Sequence, residues 1–70
     1  MGWLLGGVVM TVWIIRGLDA QRQPAEIWSV VAELDLVADA FPRAQVREGE
    51  QLWMGNKMVA KIEAHEVYTG

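Results

Sequence analysis

The stretch MGWLLGGVVMTVWII, residues 1–15, decides which folds are open to this chain because it carries no charged side chain. The six basic and nine acidic residues all follow it, so the composition changes near residues 16–23. Apolar residues make up 53% of the seventy-residue chain, which is too many for a disordered segment. The length suits one small domain, and the absence of cysteine excludes disulfides and thiolate zinc sites.

A membrane helix over residues 2–18 is our first interpretation of this apolar start. Fourteen uncharged residues run from Gly2 to Ile15, and the long side chain of Arg16 can reach the membrane surface. With Gly17 and Leu18 included, a helix over the seventeen residues 2–18 reaches about 25 Å, the lower limit for crossing a hydrocarbon core of about 30 Å. Every lysine and arginine follows the apolar stretch, which predicts that residues 16–70 lie in the cytoplasm.

A buried strand is the alternative interpretation of the same residues. Seven of the eight residues from Val8 to Ile15 are β-branched or aromatic, and such residues favour sheets. Gly6-Gly7 is an accepted two-residue hairpin turn. A strand that is apolar on both faces must be covered on both faces, and the second cover would then come from a partner chain. A cleaved signal peptide is disfavoured because no basic residue precedes the apolar run.

The stretch PAEIWSVVAELDLVADA, residues 24–40, predicts an amphipathic helix. Pro24 suits the first helical position, and Pro42 lies just beyond the last one. Apolar side chains recur at helical spacing along one stripe. The members of this stripe are Ile27, Val30, Val31, Leu34, Ala38 and Phe41. Trp28 and Leu36 fall outside the stripe, and we therefore predict that they contact a partner.

The remainder of the chain predicts antiparallel strands. Gln51–Met54 and Lys57–Ile62 flank Gly55-Asn56, which is a hairpin signal. A further strand at residues 44–47 would extend the hairpin to a three-stranded meander. Trp53, within the hairpin, is the third residue that we predict to contact a partner.

Together these elements predict an α+β fold in three parts. Residues 1–18 form an N-terminal apolar helix that is interpreted as a single transmembrane span. Residues 19–23 form a linker, and residues 24–70 form a small domain made of the amphipathic helix and the C-terminal hairpin or meander. Because so small a core is marginal alone, a protein partner or a homo-oligomer is expected.

Residues that could support catalysis or bind a metal are sparse. The single histidine, His65, alternates with Glu63 along one strand, and two ligands are fewer than zinc takes from a protein. Ser29 has no base that the sequence places beside it. We therefore expect no enzymatic activity, no cofactor and no metal site.

Nucleic acid is not an expected partner. The formal net charge is −3, which opposes binding to a phosphate backbone. Basic residues that could gather near Trp53 alternate with acidic ones. The basic set is Arg43, Arg47, Lys57 and Lys61, and the acidic set is Glu48, Glu50 and Glu63.

Two functions follow from the two interpretations of the apolar start. The first is a small non-catalytic single-pass membrane protein that serves as an accessory or regulatory subunit of a larger assembly. The alternative is a soluble α+β binding or inhibitor protein, bacterial or phage-encoded, with residues 3–15 in its core and a cytoplasmic location. In both, the contact residues are Trp28, Leu36 and Trp53.

Overall fold

Five strands form a single antiparallel sheet in the computed structural model, which describes residues 8–69. The spatial order of the strands is β2-β1-β5-β4-β3, and one short helix lies between β2 and β3 in the chain. The elements in chain order are β1 (Val8–Leu18), β2 (Pro24–Val31), α1 (Leu36–Ala40), β3 (Gln45–Arg47), β4 (Gln51–Met54) and β5 (Lys57–Thr69).

The apolar start of the chain is a strand wherever the structure describes it. β1 pairs with β5 from Val8 to Gly17 and with β2 from Trp13 to Leu18, so it lies inside the sheet. The predicted N-terminal apolar helix is therefore wrong for residues 8–18, and residues 1–7 lie outside the described residues. The physical reason is that this β-branched run pairs with β5 from Val8 to Gly17, and from Trp13 onward it also pairs with β2.

The membrane and single-pass predictions require a correction for the same reason. Among residues 8–69, no helix combines the length and the hydropathy that crossing a bilayer requires. The alternative had placed residues 3–15 in the protein core. Ile15 is wholly buried and Trp13 packs against the core, but Val9 and Met10 are 50% and 45% exposed, so only part of this stretch lies in the core. Residues 3–7 lie outside the described part of the chain.

The amphipathic helix predicted over residues 24–40 is also wrong over most of its length. Residues 24–31 form β2, and only Leu36–Ala40 are helical. β2 is rich in β-branched and aromatic residues, and its pairing with β1, for example Val30 with Ile14, outweighs the helical spacing of its apolar positions. The α+β class is accordingly replaced by a mainly antiparallel sheet with one short helix.

The predicted hairpin at Gly55-Asn56 is confirmed. Met54 pairs with Lys57 across this turn, and β3 adds the third strand beside β4. An uninterrupted hairpin would pair Leu52 with Val59, but a bulge shifts the partner of Leu52 to Ala60. The bulge lets both Val59 and Ala60 contribute to the core.

The core lies on one face of the sheet, which we call the covered face. Its buried side chains come from four elements and are Ile15, Val37, Leu52, Ala60 and Ile62. Leu34, Phe41 and Ala44, which flank α1, pack against this cluster. Residues 34–44 therefore cover this face and bury a small core that depends on the central strands β1 and β5.

A bulge in β2 brings an indole ring over the central strand. Ile15 pairs with Ser29 and Arg16 pairs with Ile27, so Trp28 is the extra residue of β2. Its ring lies so close to the buried Gly17 that a Cβ atom there would overlap it. Only glycine leaves room for this contact.

Candidate functional site

The opposite face of the sheet is the candidate site, and we call it the open face. Successive side chains of a strand point to opposite faces, so the residues that alternate with Ile15 belong to it. The register aligns Arg16 with Lys61, Ile14 with Glu63, and Val12 with His65 on this side. Within residues 8–69, no helix or loop contributes a core residue from this side.

One half of the open face is apolar although it is exposed. Val30 and Ile27 of β2 are 54% and 49% exposed, and Met10 and Val67 of the β1–β5 pair are 45% and 41% exposed. Ile14 pairs with Val30 and is itself only half-buried. Contiguous apolar surface of this kind is typical of sites that bind another molecule.

A charged cluster lies at the centre of the open face. The Arg16 Nε atom lies 3.4 Å from Glu63 Oε1, and Arg16 Nη1 donates a hydrogen bond of 2.9 Å to the carbonyl oxygen of Ala25. His65 Nε2 lies 3.2 Å from the same Glu63 oxygen. Arg16 thus links β5, β1 and β2 across the sheet, which fixes the position of its guanidinium group.

The carboxyl group of Glu63 is held in its charged form by these neighbours. The hydrogen bond with His65 lowers the pKa of Glu63 most, partial desolvation opposes it, and the charge of Arg16 and its hydrogen bond lower the pKa further. A carboxyl whose pKa falls on folding stabilises the native state above its ordinary pKa of about 4.3, and this stabilisation is lost as the pH falls through the lowered value.

We therefore expect a pH-dependent difference between the wild type and Glu63→Gln. The wild type should have the higher Tm at pH 6–7, and the difference should narrow below about pH 4.3. The effect is small because the Glu63 side chain is 38% exposed. Thermal denaturation followed by circular dichroism at several pH values measures it. Glu66→Gln, on the other face of β5, is the control for the loss of one charge. A constant difference at every pH would contradict the expectation.

Trp53 occupies the third part of the open face, next to the edge strand β3. The guanidinium carbon of Arg47 lies 4.2 Å from the centroid of the Trp53 ring, a cation–π contact. Trp53 Nε1 donates a hydrogen bond of 2.9 Å to the side chain of Gln51, and Arg47 Nε donates one of 3.2 Å to Gln45. These contacts hold the indole and the cation in a fixed arrangement.

The other two predicted contact residues lie away from the open face. The Trp28 ring lies over Gly17 on the covered face, 6.1 Å from the Phe41 ring, and is 44% exposed. Leu36, the first residue of α1, is 41% exposed. Trp53 and Trp28 therefore do not form one surface, and the contact role of all three residues stays a prediction.

The residues that the sequence analysis missed are Arg16, Ile27 and Val30. Arg16 had been placed at a membrane boundary, and the other two on the buried stripe of a helix. The signal that could have identified Arg16 is its alternation with Ile15 and Gly17 in a β-branched stretch. No local signal identifies the position of Ile27, because it depends on the bulge at Trp28.

A depression of about 330 Å³ lies away from the open face, between the β1–β2 turn and the β4–β5 hairpin. Its lining includes Leu18, Arg22, Trp28, Lys57 and Val59 together with Asp19. The Asp19 carboxylate already accepts hydrogen bonds of 2.9 Å from the backbone N–H groups of Gln21 and Gln23, so it stabilises the turn. No buried side-chain nitrogen or oxygen atom of the described residues lacks a hydrogen-bond partner.

The described residues bring together no group of three potential metal ligands, although Glu63 and His65 are in contact. The open face offers an exposed apolar surface beside the guanidinium group of Arg16, and this arrangement suits the binding of another molecule. No family model, curated protein or solved structure that was compared with the chain matches it.

Proposed function

We propose that this protein is a small non-catalytic binding module that docks another protein on the open face of its sheet. The observation that carries the proposal is the exposed apolar half of that face, formed by β1, β2 and β5. A cytoplasmic location belongs to the proposal and stays a prediction.

The composition of the open face supports docking rather than simple solvation. An antiparallel sheet that faces water on one side normally alternates apolar residues with polar ones. Here β1 places Met10, Val12 and Ile14 on the uncovered side, and β2 adds Ile27 and Val30. Burying exposed apolar surface of this kind is the main driving force for association between proteins.

The distribution of reactive side chains supports a non-catalytic role. His65 lies on the open face, where its ring contacts Glu63. Thr11, Ser29 and Tyr68 occupy register positions on the other side of the sheet, since they pair with Glu66, Ile15 and Val9. These three hydroxyl groups therefore lie on the other side of the sheet from the imidazole.

The decisive variant is the double change Ile27→Asp and Val30→Asp. Both side chains are about half exposed on an edge strand, so the domain should keep its circular dichroism spectrum. Two charges placed in a buried interface should weaken binding at least about 30-fold, the effect of losing one strong contact. A partner captured from the natural host is purified, and its Kd is measured by calorimetry against each chain.

Leu36→Asp is the matched control, because Leu36 has a similar exposure but lies on α1, away from the open face. Docking on the open face leaves Leu36 outside the interface, so this variant also tests the proposal against the contact role that the sequence predicts for Leu36. It should leave the Kd unchanged within about threefold. If Leu36→Asp weakens binding and the double variant does not, the docking surface lies on the helical side and the proposal is wrong.

A further inference from the structure

Two cations face each other at the centre of the open face. Arg16 and Lys61 are directly paired across β1 and β5, and like charges at such positions destabilise a sheet. Glu63 forms an ion pair with Arg16, but Lys61 has no ion-pair partner among the described residues. The free protein therefore carries an unfavourable charge pair that a further anion would relieve.

The same row of the sheet contains a third cation. Gln51 pairs with Lys61 on one side and with Arg47 on the other, so three of the six basic residues lie in one row. With strands about 4.8 Å apart, this row extends roughly 14 Å from Arg47 to Arg16. Ile27 continues the row on β2. This row of three cations is positively charged, although the chain as a whole has a net charge of −3.

We propose that the partner docked on the open face presents an aspartate or glutamate carboxylate to Arg16 and Lys61, flanked by apolar side chains that pack on Ile27 and Val30. This inference rests on the proposed function and adds the chemistry of the partner. The carboxylate accepts charge-assisted hydrogen bonds from both cations, which are stronger than neutral ones. It also removes the repulsion between them.

A protein partner fits this surface better than a nucleic acid. A phosphate backbone favours several cations without intervening carboxylates, whereas Glu63 lies beside Arg16 here. The positions beside Arg16 are aliphatic, namely Ile14, Ile27 and Val30, and aliphatic side chains do not stack with bases as aromatic rings do. The Trp53 ring, elsewhere on the open face, is already in contact with the Arg47 guanidinium group. An acidic segment that also carries apolar residues matches the cations at the centre of the open face and the apolar surface beside them.

The experiment selects ligands from a displayed library of random twelve-residue peptides, using the full chain as bait. We expect the selected peptides to carry an acidic residue beside apolar ones. Lys61→Gln should weaken their binding at least tenfold, and so should replacing the peptide acid by its amide. Added salt should weaken binding as well. Lys57→Gln is the control, because Lys57 is exposed at the start of the same strand and should leave the Kd unchanged.

The remaining outcomes separate this inference from the proposed function. The selected peptides could lack acidic residues and yet lose their binding to the Ile27→Asp, Val30→Asp variant. That result would overturn the inference of an acidic partner, while the proposed docking on the open face would stand. If the peptides bind Lys61→Gln and the Ile27→Asp, Val30→Asp variant as tightly as the wild type, both the inference and the proposed function are wrong. The same conclusion follows if the selection enriches no peptide. If a fifteen-nucleotide oligothymidylate binds more tightly than any peptide and Lys61→Gln abolishes that binding, the partner is a nucleic acid and the inference is wrong.

Discussion

Replacing Ile15 by alanine should reduce the free energy of unfolding by about 2–5 kcal/mol. Ile15 is wholly buried at the middle of β1, where it contributes to the core together with Val37 and Ile62. Removing its branched side chain leaves a cavity that a close-packed core cannot collapse to fill. Urea denaturation followed by circular dichroism measures the change. Because a domain of this size has little stability to lose, Ile15→Val, with an expected cost of about 0.5–1.5 kcal/mol, keeps the test measurable.

Ile14→Ala is the matched control for this prediction. Ile14 is the same residue type on the same strand, but it lies on the open face and is only half-buried. Its truncation should cost less than half as much as that of Ile15, because less apolar surface returns to water and no closed cavity forms. Equal costs for the two variants would show that β1 does not present one face to a core and the other to solvent.

Gly17→Ala should cost about 1–3 kcal/mol, because the new methyl group displaces the Trp28 ring. The ring would move away from the backbone of β1 and from Phe41, whose centroid lies 6.1 Å away. Loss of near-ultraviolet circular dichroism and a lower urea midpoint would report the change. In an ordinary strand the same substitution is mildly favourable, so a large cost identifies the contact with the indole.

The double variant Gly17→Ala, Trp28→Ala isolates that contact. Without the indole, the added methyl group has room, so the cost of Gly17→Ala should nearly vanish in the Trp28→Ala background. An undiminished cost in that background would mean that the backbone, and not the ring, excludes a side chain at residue 17. The same comparison is needed to test the predicted contact role of Trp28. Trp28→Ala removes the contact with Gly17 as well as exposed surface, so it changes the stability of the domain together with any binding.

Parts of the fold could be predicted from the sequence because neighbouring residues determine them. The Gly55-Asn56 turn and the strands beside it were predicted correctly, since the turn conformation depends on residues within it. Gly55 has a φ of 64°, the left-handed conformation that glycine adopts without strain. The helical segment does end before Pro42, as predicted, although it begins only at Leu36.

The candidate site could be predicted only in part. Trp53 was expected to contact a partner, and it lies on the open face within the predicted hairpin. Arg16 and Val30 were assigned to other roles because their neighbours on the open face come from strands distant in the chain. The residues of β2 have apolar positions that fit a helix as well as a strand, and periodicity alone cannot separate the two in so short a segment.

By itself, the sequence determined local conformation: a tight turn at Gly55-Asn56, a helix that stops before Pro42, and a preference for strand in the β-branched run that ends at Ile15. Only the tertiary structure decided that this run pairs with β5, and from Trp13 onward also with β2, instead of forming a membrane helix. The physical reason is that a strand completes its backbone hydrogen bonds with distant residues. Gly17 pairs with Ala60, far along the chain, and that pairing determines which side chains face the core and which remain open to a partner.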